Sequence, residues 1–204
     1  MDLVSLAKQL PIHKGSWEEY FFLCALAGTV RADCTRRQFS CIAVSPDNHV
    51  LATGYNSPPK GSLSKVQEFE KKHGASVPPG FPCCKDPSIP ANQSYDTCNA
   101  LHAEQNCLQQ LGSQNHYEWI DLYLAGRSGQ TGELIDCYPC IYCSRMIRNA
   151  NVRFVHCLQS NGEITVFSPK DLPLTKEPLQ ESPRAVEPLL AQSLVSVGAH
   201  SGEY

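Results

Sequence analysis

Two short stretches decide how this chain reads: LHAEQNCL, residues 101–108, and YPCIYC, residues 138–143. In the second, Cys140 and Cys143 stand three apart at the start of a stretch with helical pattern, CSRMIRNAN. That spacing lets two thiolates point at one ion, and a helix N-terminus favours their negative charge. By itself the pair is compatible with zinc, with thiol redox chemistry or with simple packing. Zinc needs one or two ligands more. His102 supplies a third, because it opens another helical stretch, and Glu104 follows two residues later. In mid-helix, residues two apart diverge around the axis; at a helix start both can address an ion lying off the end. One histidine and two cysteines leave the fourth tetrahedral position to water, which marks a catalytic rather than a structural site. Zinc brings the acidity of such a water towards neutrality, and a carboxylate beside it can take up and return protons. Glu104 is placed for that role.

The totals fit a globular protein around such a site. The chain has 204 residues, 42% hydrophobic and 18% charged, enough to bury a core. No apolar run approaches the roughly 20 residues of a membrane span. The opening MDLVSLAKQLPIHKG has neither the apolar core nor the small-residue cleavage site of a signal peptide, so a cytoplasmic location is expected. A formal charge of −3 weighs against a partner whose long phosphate backbone must be tracked, and says nothing against a single nucleotide. Eleven cysteines is an odd number and cannot all pair within the chain. Without a secretion signal, buried thiols and metal ligands are the better reading than a disulfide framework.

The order of elements predicts an α/β fold. Residues 17–31, WEEYFFLCALAGTVR, read as a helix capped by Ser16, with apolar residues all round it, so it should be well buried. FSCIAVSPDNHVLATGYN reads as a hairpin, its strands at 39–44 and 50–53. Residues 57–100 are broken by ten prolines and glycines and hold at most one short helix, near 65–73. After that come a helix from LHAEQNCLQQLG, a strand from WIDLYLAG, the helix after Cys140, a strand from RFVHCLQ and a last strand in NGEITVFS. Alternating strands and helices make a layered α/β sandwich. The expected organisation is one domain over 1–171 carrying the long insertion at 57–100, then a tail over 172–204. Prolines 173, 178, 183 and 188 keep that tail from forming a continuous helix.

His102-Ala103-Glu104 followed by Pro139-Cys140-Ile141-Tyr142-Cys143 is the H-x-E…P-C-x-x-C pattern of zinc deaminases. WEEYFF, the glycine-tyrosine-asparagine turn in GYNSPPKG, and MIRNANVRFVHC extend the likeness over about residues 17–168. On these residues the chain resembles the deoxycytidylate deaminase family, within the cytidine deaminase superfamily. The resemblance implies a three-layer α/β/α sandwich with a central mixed sheet, a catalytic Zn2+ and a homo-oligomer. It also implies hydrolytic deamination at C4 of a pyrimidine nucleotide, dCMP going to dUMP. Glu104 would protonate N3 and then carry a proton to the leaving amine, releasing ammonia. Asn56 is expected against the sugar or phosphate and the Ala103 backbone against the base. Ser57, Lys60 and Ser62 are weaker phosphate candidates, and Tyr138 and Tyr142 either wall the ring or lie in the core.

Some members carry a second zinc that clips the loop between the hairpin and the histidine. Cys34, Cys83, Cys84 and Cys98, with His73, are the candidates here, and a metal clip would stabilise so proline- and glycine-rich a segment. Four unrelated thiols is the alternative, and the sequence weighs the two about evenly. Cys24, Cys41, Cys107, Cys137 and Cys157 fall in regular elements and are expected in the core. Two other functions stay open from the sequence. One is a deaminase acting on cytosine or adenine in single-stranded DNA or tRNA, disfavoured by 8% aromatic content and a slightly acidic charge. The other is a silent nucleotide sensor, disfavoured because Glu104 is present. Arg36 and Arg37 are candidates for an effector phosphate or a neighbouring subunit, with a solvated pair the better reading.

Overall fold

The computed structural model describes residue 10 and residues 13–76, 98–112 and 117–175. Its elements, in chain order, are α1 (Trp17–Gly28), a 3-10 turn (Thr29–Arg31), β1 (Arg37–Val44), β2 (Val50–Tyr55), α2 (Lys65–His73), α3 (Ala103–Leu111), β3 (Ile120–Ser128), α4 (Ile141–Asn149), β4 (Val152–Leu158), β5 (Ile164–Phe167) and a closing 3-10 turn (Pro169–Asp171). The strands form one mixed sheet in the order β2-β1-β3-β4-β5. β1 runs antiparallel to both β2 and β3, β3 runs parallel to β4, and β5 returns antiparallel.

That topology dictates which helices share a face. β2 and β3 both oppose β1, so they run the same way, and α3 is the crossover between them. α4 is the crossover between the parallel strands β3 and β4. Both connections step across the sheet in one direction. The right-handed rule for parallel crossovers therefore puts α3 and α4 on the same side. Side chains alternate accordingly. Cys41 and Ala43 of β1, Leu122 and Leu124 of β3, and Val155 and Cys157 of β4 pack against Ala103 and Cys107 of α3 and Cys143 and Ile147 of α4. The intervening Ile42, Val44, Tyr123, Ala125 and Leu158 face the other way, onto Phe21, Phe22 and Ala25 of α1. Sheet and helices thus make the expected α/β/α sandwich.

Local chemistry explains the element ends. Ser16 caps α1, its Oγ accepting from the Glu19 N–H at 3.1 Å while Glu19 Oε2 accepts from the Ser16 N–H at 2.6 Å. The β1–β2 turn needs a left-handed residue, and Asn48 takes it at φ 65°. Where the β3–β4 register slips, the Asp121 carboxylate accepts from Arg153 Nε at 3.0 Å and from the Phe154 N–H at 3.2 Å, with the guanidinium 3.4 Å over the Trp119 ring.

Three expectations are modified. α1 is not buried all round: Trp17, Tyr20 and Leu23 are exposed, because the sheet covers only the face carrying Phe21, Phe22 and Ala25. Leu172, placed at the start of the tail, is 3% exposed and belongs to the core, so the packed unit runs past 171. Cys137 is buried but lies in the loop before α4, not in a regular element. Within the proline-rich stretch α2 spans Lys65–His73 and contributes nothing to the core. The rest of that stretch from residue 77 to 97, and the tail from 176, fall outside the described residues. Among the described residues no helix is long and apolar enough to cross a membrane.

Candidate metal and catalytic site

Both crossover helices leave the sheet from the same edge, so their N-termini open towards one another. His102 is the N-cap residue of α3 and Cys140 the N-cap residue of α4, each with extended backbone. His102 Nδ1 lies 3.3 Å from Cys140 Sγ and 3.5 Å from Cys143 Sγ, and all three ligand atoms lie within 4.8 Å of one another. A sulfur at about 2.3 Å and a nitrogen at about 2.0 Å from a common tetrahedral centre stand roughly 3.5 Å apart. The donor set and its spacing therefore fit zinc. Among the described residues this is the one group of three or more such side chains close enough to share an ion.

The electrostatics suit a cation. Cys143 donates to the neighbouring sulfur, and with the His102 ring alongside it lowers the Cys140 thiol to about 4. The contact with Cys140 raises the imidazole above its ordinary value. Cys143 holds its proton more tightly for the same reason, and metal binding would have to displace it. Glu104, in the first turn of α3, is 5% exposed. Burial pushes its carboxyl above the ordinary carboxylate range, although its own backbone N–H and His102 pull the other way. A buried carboxyl beside a cation site, holding its proton more tightly than an exposed carboxylate does, suits a proton shuttle.

The residues around the triad hold it in place. The His102 N–H donates to Gln105 Oε1 at 2.8 Å. Leu101, just before it, bridges to Ser57, with N–H to carbonyl distances of 2.9 and 3.3 Å. One turn into α3, Asn106 Nδ2 donates to the Tyr55 carbonyl at 2.8 Å and reaches Ser57 Oγ at 3.3 Å. Gly54 completes the contact: a Cβ there would overlap the backbone of Ala103 and Cys107, so only glycine lets α3 lie this close to β2. On α4, the Ser144 N–H donates to the Cys140 carbonyl at 2.7 Å.

The four residues singled out in the sequence, His102, Glu104, Cys140 and Cys143, lie together at the starts of α3 and α4, whereas Gly54, Asn106 and Gln105, which support them, were not singled out for that. The glycine in GYN was a visible signal, since glycine within a strand marks close backbone approach. Asn56 is buried, with its amide spanning the β1 backbone: Oδ1 accepts from the Phe39 N–H at 2.7 Å and Nδ2 donates to the Arg37 carbonyl at 2.9 Å. Ala103 is fully buried at the start of α3. Lys60 and Ser62 are exposed. Tyr138 and Tyr142 are 50% and 53% exposed and flank Cys140, so neither is a core residue. Of the second-zinc candidates, Cys83 and Cys84 lie outside the described residues. Cys34 Sγ accepts from the Arg37 N–H at 3.5 Å, and the His73 ring lies tilted against Phe69 at 4.4 Å between ring centroids. Cys98 is half-buried, and no disulfide forms among the described cysteines.

Comparison with known proteins agrees with this site. Residues 15–159 match the family model described as the cytidine and deoxycytidylate deaminase zinc-binding region. The deoxycytidylate deaminase of Schizosaccharomyces pombe is 30% identical over 140 residues, 69% of this chain and 36% of that protein. The one from Saccharomyces cerevisiae is 29% identical over 151 residues, 74% of this chain and 40% of its own length. The chain therefore spans well under half the length of these curated relatives. Among solved structures, a dCMP deaminase from the cyanophage S-TIM5 is 24% identical, with a TM-score of 0.45 over 70% of this chain and 82% of that one. The extent of the family match and the three zinc ligands it brings together place this chain in the cytidine and deoxycytidylate deaminase zinc-binding family.

Proposed function

We propose that this chain is a zinc-dependent hydrolytic deaminase of a pyrimidine nucleotide, acting on dCMP. One observation carries the reading: His102, Cys140 and Cys143 present ligand atoms to a single point, with a buried carboxyl, Glu104, in the adjoining helical turn. The family and the names of the curated relatives support deoxycytidylate as the substrate class. Bound there, zinc supplies Lewis acidity that makes water a competent nucleophile near neutral pH. Glu104 takes the proton that this water loses as its oxygen bonds to C4 and passes it to ring N3; it then takes the second proton from the new C4 hydroxyl and delivers it to the amine as the C4–N bond breaks. Water oxygen stays on C4 as the new carbonyl and ammonia departs, so atoms and charge balance. Tyr138 and Tyr142, half-exposed on either side of Cys140, offer ring faces for a base. Asn56, whose amide is tied to β1, acts by fixing the end of the hairpin beside the Ser57–Leu101 bridge. It retains one N–H and lone-pair capacity for a sugar hydroxyl. The reading includes self-association and a second, structural zinc at Cys34 and Cys98 with Cys83 or Cys84.

The test is ammonia release from the purified chain with cytidine, dCMP, dCTP and a cytosine-bearing single strand in parallel, with zinc measured on the same sample. Turnover of dCMP supports the proposal; turnover of the strand alone keeps the chemistry and overturns the substrate. Glu104→Ala is expected to keep its zinc and lose activity by several orders of magnitude. Normal deamination by that variant would remove Glu104 from the mechanism. Cys98→Ser should lower the zinc stoichiometry by one, and an unchanged value would end the second-zinc assignment.

A further inference from the structure

Residues 136–140, which lead into α4, have no regular secondary structure, yet each of the first four is held. Asp136 Oδ1 accepts from the Ser160 N–H at 2.8 Å and from Ser160 Oγ at 2.6 Å. The Cys137 carbonyl accepts from Gln159 Nε2 at 3.3 Å. The Tyr138 ring lies edge-on to Phe167 of β5, 5.9 Å between centroids. The Pro139 carbonyl accepts from Ser144 Oγ of α4 at 3.4 Å. Three of these four anchors belong to the β4–β5 hairpin, and the segment they hold ends on the ligand Cys140. Gln159 is the buried one among the polar anchors of that hairpin, 6% exposed. Its main chain is fixed in the turn, the N–H donating to the Glu163 carbonyl at 2.8 Å and the carbonyl accepting from the Gly162 N–H at 3.0 Å. Nε2 also donates to the Cys157 carbonyl at 3.1 Å. With two carbonyls facing the nitrogen the amide cannot be turned over, since Oε1 in its place would meet two acceptors. Oε1 itself is buried with no hydrogen-bond partner among the described residues. A polar atom left so costs stability that an apolar side chain of the same length would not. Filling space therefore does not account for an amide here, whereas its two donors do.

We propose that Gln159 is a positioning residue for the zinc site: it sets the Cys137 carbonyl and, through it, the place of Cys140. The dihedrals in between make the transmission direct. The ring of Pro139 fixes its φ, and Tyr138, which precedes a proline, is confined to extended backbone. A shift at Cys137 is therefore carried to Cys140 instead of being absorbed on the way. Cys143 lies within α4, but Cys140 is the N-cap residue with extended backbone, so the direction of its thiol depends on the segment before it. The Ser57–Leu101 bridge does the same for His102, which also follows an extended segment. Each ligand at a helix start is thus aimed by a support from a neighbouring strand end. The inference rests on the zinc reading of the triad and not on the identity of the substrate.

Zinc affinity of the full chain, measured by competition with a chelator on the folded fraction, tests the proposal. Gln159→Met keeps the volume and removes the donors. Its zinc dissociation constant is expected to rise about 10- to 100-fold, the usual effect of losing a residue that holds a ligand in place. Gln159→Glu keeps the shape and sets an oxygen against both carbonyls. Burial and those carbonyls favour its protonated form, which can donate to one of them. Its loss of affinity, taken against the wild type at the same pH, should therefore shrink from about pH 8 to about pH 6. Phe21→Ala, which destabilises the opposite face of the sheet, is the control and should bind zinc as the wild type does. Wild-type affinity in Gln159→Met overturns the proposal. So does an equal loss in Phe21→Ala, or a Gln159→Glu deficit that is the same at both pH values. If Gln159→Met does not fold, Asp136→Ala at the surface loosens the same segment and decides: zinc bound several-fold more weakly supports the proposal, and wild-type affinity overturns it. A wild-type chain that takes no zinc overturns the zinc reading as well, whereas a zinc-binding wild type with unaffected variants overturns the positioning role alone.

Discussion

The two faces of the sheet are packed on different principles. On the α3/α4 side, backbone lies against backbone: Gly54 has no room for a Cβ, and Ala103, Cys107 and Cys143 are all fully buried small side chains. On the α1 side the spacing is set by rings. Phe21 and Phe22 lie 4.9 and 5.3 Å from the Tyr123 ring, and Tyr123 stacks on His156 at 4.4 Å. Large rings fill volume and tolerate adjustment. Small residues in close backbone contact fix position to a fraction of an ångström, and that is what three ligands converging on one ion require. The face that holds the site is therefore the precise one, and the face that holds α1 contributes bulk.

Three substitutions probe that contrast. Phe21→Ala removes a fully buried ring and is expected to cost about 3–5 kcal/mol in unfolding free energy, read from denaturant midpoints, while the folded fraction keeps its zinc affinity. Loss of zinc in that variant would mean that the two faces are coupled and the contrast is false. Gly54→Ala should cost less stability, roughly 3 kcal/mol, yet lower zinc affinity sharply, because α3 must back away from β2 and take His102 with it. A variant that melts early but binds zinc as before would show that the close approach serves only packing. Asn106→Ala deletes the donors to Tyr55 and Ser57, and about 1–2 kcal/mol is expected. Zinc affinity should fall several-fold, measured by competition with a chelator. An unchanged affinity would confine Asn106 to holding β2.

The precise face was partly legible in the sequence. The H-x-E and C-x-x-C patterns carry the ligand chemistry in single letters, and each opens a helix that cap residues and apolar spacing reveal. The supports of the site were less visible. Asn106 and Asn56 act through hydrogen bonds to backbone atoms 51 and 17 to 19 residues away, and an asparagine's letter does not say which carbonyl it meets. α1 failed for a different reason. Its apolar residues go all the way round, so the period gave no direction, and burial on every side was the natural but incorrect expectation.

Residue identity alone determined the metal chemistry, the hairpin, the helix starts and the order of elements, because each depends on side chains close together in the chain. Only the tertiary structure decided that His102 and Cys140, 38 residues apart, meet at 3.3 Å. It also decided that α1 turns Phe21 inward and Tyr20 outward, and that Gly54 is the contact on which α3 rests. Those facts follow from how crossover handedness and sheet order bring distant segments together, and local sequence pattern carries no measure of that distance.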